Sequence, residues 1–576
     1  MATTHNKPVS IDGKMFKRSG AWFGLFNFGF PGGDTSFYLG TCHGMAAMAP
    51  EKNRLINIFP TYNGEKIPFT VQAFPAELTL KTERGDVRFT FADTTKLLAE
   101  GDAGMGLRFE KTMVEHETVH PKKDGAWEAF FRLTCAFVFK GLNGSTFDFN
   151  DGVAPWEWSK LASGDIYGQT RPAADGGFTL VMEEFTYGGI VRESYPTYAE
   201  AKASMQADWD GFVNAMPAFA EPFEETREEC EYLLWSFLTS PYGTAKYPMI
   251  QMFAGVMASQ WQMCQNAVAL QEHTDLAVSL LLGPIDRAGP FGQLTDSYDD
   301  AMCESLMVKP PMHGWAVKEL MKNHDLLKEC PRENIEKLYA GMGKWADWFL
   351  LCRDDDGDGL PSLIHSDETG LDNCSLFRNH LQITSPDTAA YLVILYEAVG
   401  DLAKLLGKTE TESAAWYKKS ADLLKLMIDV LWDGEHFVGL VPATGEKLVS
   451  QNIVHYLPAV LGDRLPREIL NKLADDLESK FLSPWGLASE ETTSEYFAPT
   501  LFGVGCILPP AMLFICTGLW DSERRDTARK AAENYCNALR TSNFPFFLDP
   551  TSGAGMYNGC SWSYCAYTIL ARLLSE

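Results

Sequence analysis

An antiparallel β-sandwich followed by a toroid of helical hairpins is the fold class this sequence predicts, and three observations predict it. Residues 1–215 are filled with short alternating runs broken by Gly and Asp. Near residue 215 the period changes from two to 3.6. From there to residue 576, twelve amphipathic stretches follow one another with loops of uneven length and no fixed repeat, which argues against a solenoid. The expected division is therefore 1–215 for the sandwich and 216–576 for the helical domain.

In the first part, "ELTLKTERGDVRFTF" (77–91) alternates on both sides of Arg84-Gly85-Asp86, as a β-hairpin does. "WEAFFRLTCAFVFKG" (127–141) and "GFTLVMEEFTYGGIVRESY" (177–195) are further strands by the same pattern. In the second part, "ENIEKLYAGMGKWADWFLLC" places Ile335, Leu338, Tyr339, Met342, Trp345, Trp348, Phe349 and Cys352 on one helical stripe. Comparable stripes cover 223–238, 257–271, 274–284, 309–325, 385–405, 410–433, 449–461, 465–479, 503–517, 521–541 and 559–575. Six hairpins closed into a ring bring their loops together at one rim, around a central pocket.

Composition narrows the function. The net charge of −27 repels phosphate backbones and anionic lipid, so nucleic acid and membrane surfaces are not expected partners. The N-terminal "MATTHNKPVSIDGK" has no apolar core of a signal peptide, and a cytoplasmic location is expected. Thirteen scattered cysteines without CxxC pairs fit reduced thiols, with neither a zinc site nor a disulfide framework. The apolar run 502–520 is broken by Pro509 and Pro510, which favours a buried helix over a membrane span.

The densest chemistry lies in "DDDGDGLPSLIHSDETGLDN" (354–373), within a connection of about thirty residues, far above the usual length. As an EF-hand it fails, because the twelfth position is His365 where a bidentate Glu is needed. Asp354 to Gly359 reads as a tight turn, with a calcium of another geometry left open.

"DDDGDGL", "HSDETGLDNCSLF" and "SPDTAAYL" together resemble the signature of inverting glycoside hydrolases with an (α/α)6 barrel, the group of processing α-glucosidase I, trehalases and mannosylglycerate hydrolases. "KPPMHGWAVKEL" (309–320) is similar to that group's Q-P-P-x-x-x-W-A helix, and "VLWDGEHFVGL" (430–440) to its L-W-D turn. The resemblance implies an (α/α)6 barrel, hydrolysis of a small glycoside or short oligosaccharide, α-linked, with inversion, and no cofactor. It maps the general acid onto Asp372; Glu368, with Asp367, is expected to raise that acid's pKa by its charge or to contact sugar, and Asn373 to hydrogen-bond a sugar hydroxyl. Inversion needs one protonated carboxyl for the leaving oxygen and one carboxylate to activate water.

Three positions depart from the group's pattern. Its catalytic Glu before a P-x-T-G turn falls on Phe546 of "FPFFLDPTSGAG", and Asp549 there reads as an Asp-Pro turn starter. Its sugar-gripping W-D pair falls near Met263 and Cys264, and its W-R-G-P segment reads Gly503-Val504-Gly505-Cys506. Glu490 and Glu491 in "PWGLASEETTSEYF" are candidate bases; the alternative is a helix start capped by Ser489. Trp315, Trp485 and Trp562 are candidates for sugar stacking, and His365 for substrate contact. A same-fold epimerase or lyase, or a sugar-binding relative without turnover, are the rival readings. The sugar and the oligomeric state stay open.

Overall fold

The computed structural model describes residues 5–27, 36–44, 53–113, 117–131, 135–150, 164–185 and 194–576. Parts of the expected strands at 127–141 and 177–195 lie outside these residues. Within them, two antiparallel sheets stack face to face. One runs Met15–Phe16, Phe23–Asn27, Phe37–Thr41, Arg54–Tyr62, Met105–Met113, Gly164–Arg171 and Thr146–Phe149. The other runs Thr118–Pro121, Trp127–Phe131, Cys135–Leu142, Phe178–Phe185, Lys96–Gly101, Asp86–Phe91, Glu77–Lys81 and Thr70–Phe74. Alternation at 77–91 becomes the expected hairpin, with Leu78 opposite Phe89 and Leu80 opposite Val87. Phenylalanines from both sheets, among them Phe109, Phe139 and Phe147, interlock edge to face and stacked within the sandwich.

A helix not foreseen from the sequence, α1 (Tyr198–Val213), leads out of the sandwich. Thr197 and Glu200 form a capping box at its start. It packs on the strands Asp86–Phe91 and Lys96–Gly101 and on the next helix. Arg18 ties it down, pairing with Asp208 of α1 and donating to the Ala92 carbonyl.

Among the described residues, twelve helices of ten residues or more follow: α2 (Arg227–Phe237), α3 (Gln260–Ala269), α4 (Thr274–Asp286), α5 (His313–Asn323), α6 (Arg332–Cys352), α7 (Pro386–Leu405), α8 (Glu410–Leu431), α9 (Ile453–Arg464, wound as a 3₁₀ helix and kinked at Gly462), α10 (Arg467–Asp476), α11 (Pro509–Trp520), α12 (Arg525–Thr541) and α13 (Ser561–Ser575). Contacts run α3 to α5, α7, α9, α11, α13 and back to α3, which closes an inner ring of six. The alternate helices lie outside: α4 on α3, α6 and α8 on α7, α10 on α9, α12 on α11, α2 on α13. This is the (α/α)6 barrel. Inner α7 and α11 are buried on nearly every side, because both faces are covered. Outer α10 and α12 bury one stripe only. The helix expected over 503–517 begins at Pro509, whose fixed φ suits the first helical turn. Among the described residues no helix is long and apolar enough to cross a membrane.

The two domains are bolted together by buried polar contacts. Lys14 pairs with Glu229, the Trp22 indole donates to the Ser240 carbonyl at 2.9 Å, and Asn53 donates to the Gly255 carbonyl at 2.7 Å.

Candidate active site

The loops that precede the inner helices bond to one another and form one rim of the barrel. The backbone amide of Gln260, at the start of α3, donates to the Asp296 carbonyl. Val308, just before α5, donates to Glu368 in the loop before α7. Glu490 joins Ser375 of that loop to Asn452 before α9, and Ile507 before α11 pairs with Leu548 before α13.

The long acidic loop is fixed at its middle by a buried ion pair. Arg353, at the end of α6, meets Glu368 in bidentate fashion at 2.9 and 2.7 Å, and its guanidinium lies over the Trp348 ring. Glu368 also accepts the amides of Val308 and Ile364. Its carboxylate is fully enclosed, so the expectation that it contacts sugar or raises the acid's pKa by its charge is not met; it is the loop's anchor. Gly370 then turns the chain with a φ of +75°, its Cα against the Trp261 ring.

Two residues later Asp372 stands at the rim with 49% of its side chain accessible. Surrounding protein still strips part of its hydration, and this raises its pKa against the pull of Lys309, with Asp367 adding to the rise and His365 opposing it. The Lys309 ammonium lies 3.8 Å from Asp372 and 3.9 Å from Asp296, and donates to the Asp367 carbonyl at 2.7 Å. Asp296 comes from the segment between α4 and α5. Burial pushes it up to about 6 in spite of Lys309, with Glu304, Asp372 and Asp367 adding to the rise. His365 is 46% exposed and its Nδ1 accepts the Asp367 amide.

Neither Lys309 nor Asp296 was singled out from the sequence. Lys309 precedes the Pro-Pro pair of a recognised motif, which was a usable signal. Nothing local marks Asp296.

The other expected residues fall in different places. Asn373 uses its amide to hold the Phe502 carbonyl at 3.0 Å, tying the acid loop to the segment before α11. Glu490 is fully buried and its two oxygens take hydrogen bonds from Ser375, Ser494 and Asn452, so it is a strut between three loops and not an open base. No helix starts at Ser489 either; its hydroxyl accepts the Gly505 amide. Glu491 keeps 15% of its side chain accessible, accepts from Gln451 and lies 3.9 Å from Lys480. Trp315 donates to Thr517 and lines a cavity of about 360 Å³ with Lys318, Glu397 and Gly462, toward the C-terminal ends of the inner helices and away from Asp372. Trp485 packs under Gly553 of the Asp-Pro turn.

Phe546, where the resemblance places a Glu, joins an aromatic cluster with Phe253, Phe502 and Trp562, at ring distances of 5.3–5.4 Å. Trp562 meets Trp261 edge to face at 5.1 Å, so this cluster continues to the ring under Gly370. Asp549 accepts from Thr551 and Ser552, as a turn starter does. In the first half of the loop, carboxylate oxygens of Asp354, Asp356 and Asp358 lie within 4.8 Å of one another, a set that could hold a hard cation. Backbone amides of Asp358, Gly359 and Leu360 already cap these carboxylates.

Comparison with known proteins agrees with the fold. Residues 295–564 match the family described as the mannosylglycerate hydrolase MGH1-like glycoside hydrolase domain. A mannosylglycerate hydrolase of Rubrobacter radiotolerans is 24% identical over 315 residues, 43% of this chain and 70% of that protein. Mannosylglycerate hydrolase of Thermus thermophilus, solved with glucose, superposes with a TM-score of 0.51 at 18% identity, covering 60% of this chain and 99% of that one. The same enzyme with Tris and D-glycerate gives 0.50 at 17% identity over the same shares. Residues 295–564 are thus similar to a glycoside hydrolase domain of the group that the loop motifs resemble.

Proposed function

We propose that the protein hydrolyses a small α-linked glycoside with inversion of the anomeric carbon, and that Asp372 is the general acid. The observation that carries this reading is the placement of Asp372. It is open to a ligand at the rim, held by an anchored loop, and raised in pKa by loss of hydration, the condition for a carboxyl that must donate a proton near neutrality. Asp372 would protonate the glycosidic oxygen as the C–O bond breaks, while a water attacks the anomeric carbon from the other face and gives its proton to a second carboxylate. Of the two loop glutamates, Glu490 has its oxygens occupied, and Glu491 is the one with solvent access; we assign it the water-activating role. The aromatic wall of Phe546, Phe502 and Phe253 offers apolar faces against which a sugar ring can lie. Glucose and D-glycerate in the Thermus enzyme support a hexosyl unit joined to a small hydroxylated aglycone.

The test is proton NMR of the products from a panel of α- and β-linked disaccharides and glycosyl-glycerates. Wild type should release a sugar of inverted configuration from an α-linked substrate, and Asp372→Asn should be at least about a hundredfold slower. Retention of configuration, or an Asp372→Asn variant as fast as wild type, would refute the assignment.

A further inference from the structure

Lys309 poses a problem for an acid at position 372. An ammonium within about 4 Å of a carboxyl favours the ionised form and takes away the proton that the acid must keep. The structure holds that cation between two carboxylates. Asp296 reaches it from the segment after α4 at 3.9 Å, Asp372 reaches it from the loop before α7 at 3.8 Å, and its remaining strong contact is the neutral Asp367 carbonyl. Lys309 and Asp296 are both mostly enclosed, at 13% and 15% exposure, so solvent does little to replace either contact.

We infer that Asp296 is a positioning residue for the acid: it draws the Lys309 ammonium partly to itself and so limits that cation's pull on Asp372. The inference rests on the hydrolase reading for its catalytic meaning, but not for its electrostatics. Five groups enter the balance. Lys309 and His365 stabilise the Asp372 anion, and Asp367 opposes it. Asp296 acts through Lys309, and Glu304, which accepts a hydrogen bond from Ser297, adds negative charge beside Asp296. Asp296 is itself pushed up to about 6, by burial first, so above that pH its charge is present to offset the lysine. Below it the offset fades, where Asp372 needs it least.

Two readouts test this on the full-length protein. The first is a carbon-13 carboxyl NMR titration, with the Asp372 signal identified by its loss in Asp372→Asn. The second is the pH profile of kcat/KM. In Asp296→Asn the Asp372 midpoint should move to lower pH, and kcat/KM should fall roughly tenfold at about pH 8 and much less at about pH 5. In Lys309→Met the midpoint should move up, Lys309→Arg should leave it in place, and the double variant Asp296→Asn, Lys309→Met should return toward wild type. A midpoint that stays put in both single variants overturns the inference, as does a loss of activity that is uniform across pH. If the midpoints move as stated but no glycoside is cleaved, the electrostatic assignment stands and the hydrolase reading falls.

Discussion

His43 of the sandwich lies 2.9 Å from Asp300 of the barrel through Nδ1, and 3.3 Å from Glu184 of its own domain through Nε2. The ring is stacked on Trp22 at 4.8 Å and is 2% exposed. Asp300 occupies the turn of the hairpin Ser297–Tyr298/Cys303–Glu304, and Asp296 immediately precedes that hairpin. Asp300 also accepts the Gly44 amide at 2.8 Å. The β domain thus grips the far end of the element whose near end faces Asp372, which gives the sandwich a part in shaping the rim.

This contact makes stability depend on pH. Burial by itself would lower the His43 pKa, but the charges of Glu184 and Asp300 and their hydrogen bonds outweigh it and raise it to about 9. A folded value above the unfolded one of about 6.5 gives stability that is fully present below about pH 6.5 and lost as pH rises through about 9. The contribution is on the order of 3 kcal/mol. Urea unfolding at about pH 6 and about pH 9.5 should show this slope in wild type and little of it in His43→Gln. A slope that survives in the variant would show that the ring is not the titrating group.

Glu490 and Glu491 should behave oppositely. Glu490→Gln replaces a carboxylate that accepts from Ser375, Ser494 and Asn452 with an amide that must point a donor at one of them. The expected cost is about 2 kcal/mol of stability, with turnover per folded molecule within a few fold of wild type. Glu491→Gln should leave the melting temperature within about a degree and lower kcat at least a hundredfold or so, as the loss of a water-activating base does. Calorimetry beside single-substrate kinetics separates the two, and a reversed pattern would exchange their roles.

The acid loop should depend on its anchor. Glu368→Ala leaves the Arg353 guanidinium enclosed without its carboxylate, and removes the acceptor for the Val308 and Ile364 amides. Breaking one side of a buried pair costs about 3–5 kcal/mol. Hydrogen exchange should rise across residues 364–372 more than in α6 or α7. Equal exchange in the variant and wild type would mean that the loop is held by its ends.

The barrel helices were legible because apolar positions repeat near 3.6 residues, most plainly on the outer helices that bury one stripe. α1 was missed although Thr197 and Glu200 spell a capping box and Tyr198, Ala201, Met205, Trp209 and Phe212 share a face. Its 16 residues of helix next to a strand-rich region were absorbed into that region's pattern. Asp372 was legible through its motif. Its partners were not, because Asp296 and Lys309 arrive from the segment before α5, and only the closed ring brings them to the acid. Charge type alone could not separate Glu368 from a ligand-facing carboxylate, since the partner that buries it, Arg353, lies 15 positions away across the loop. The same holds for Glu490, whose three donors, Ser375, Asn452 and Ser494, are spread along the chain.

Gly370 and Gly357 offer a controlled pair within one loop, for both have a φ of +75°. A Cβ on Gly357 meets nothing within 4 Å, so Gly357→Ala should cost only the left-handed strain, about 1–2 kcal/mol. A Cβ on Gly370 would sit 2.2 Å from the Trp261 ring, which is 2% exposed and backed by Trp562, and cannot swing away. Gly370→Ala must therefore move the loop, and Asp372 is two residues on. A displacement of about 1 Å at a reacting group can lower the rate about a hundredfold. Gly370→Ala should thus lose kcat by roughly one to two orders of magnitude under conditions where it remains folded, while Gly357→Ala keeps kcat near wild type. Equal rates in the two variants would show that the position of Asp372 is not set by the contact of Gly370 with Trp261.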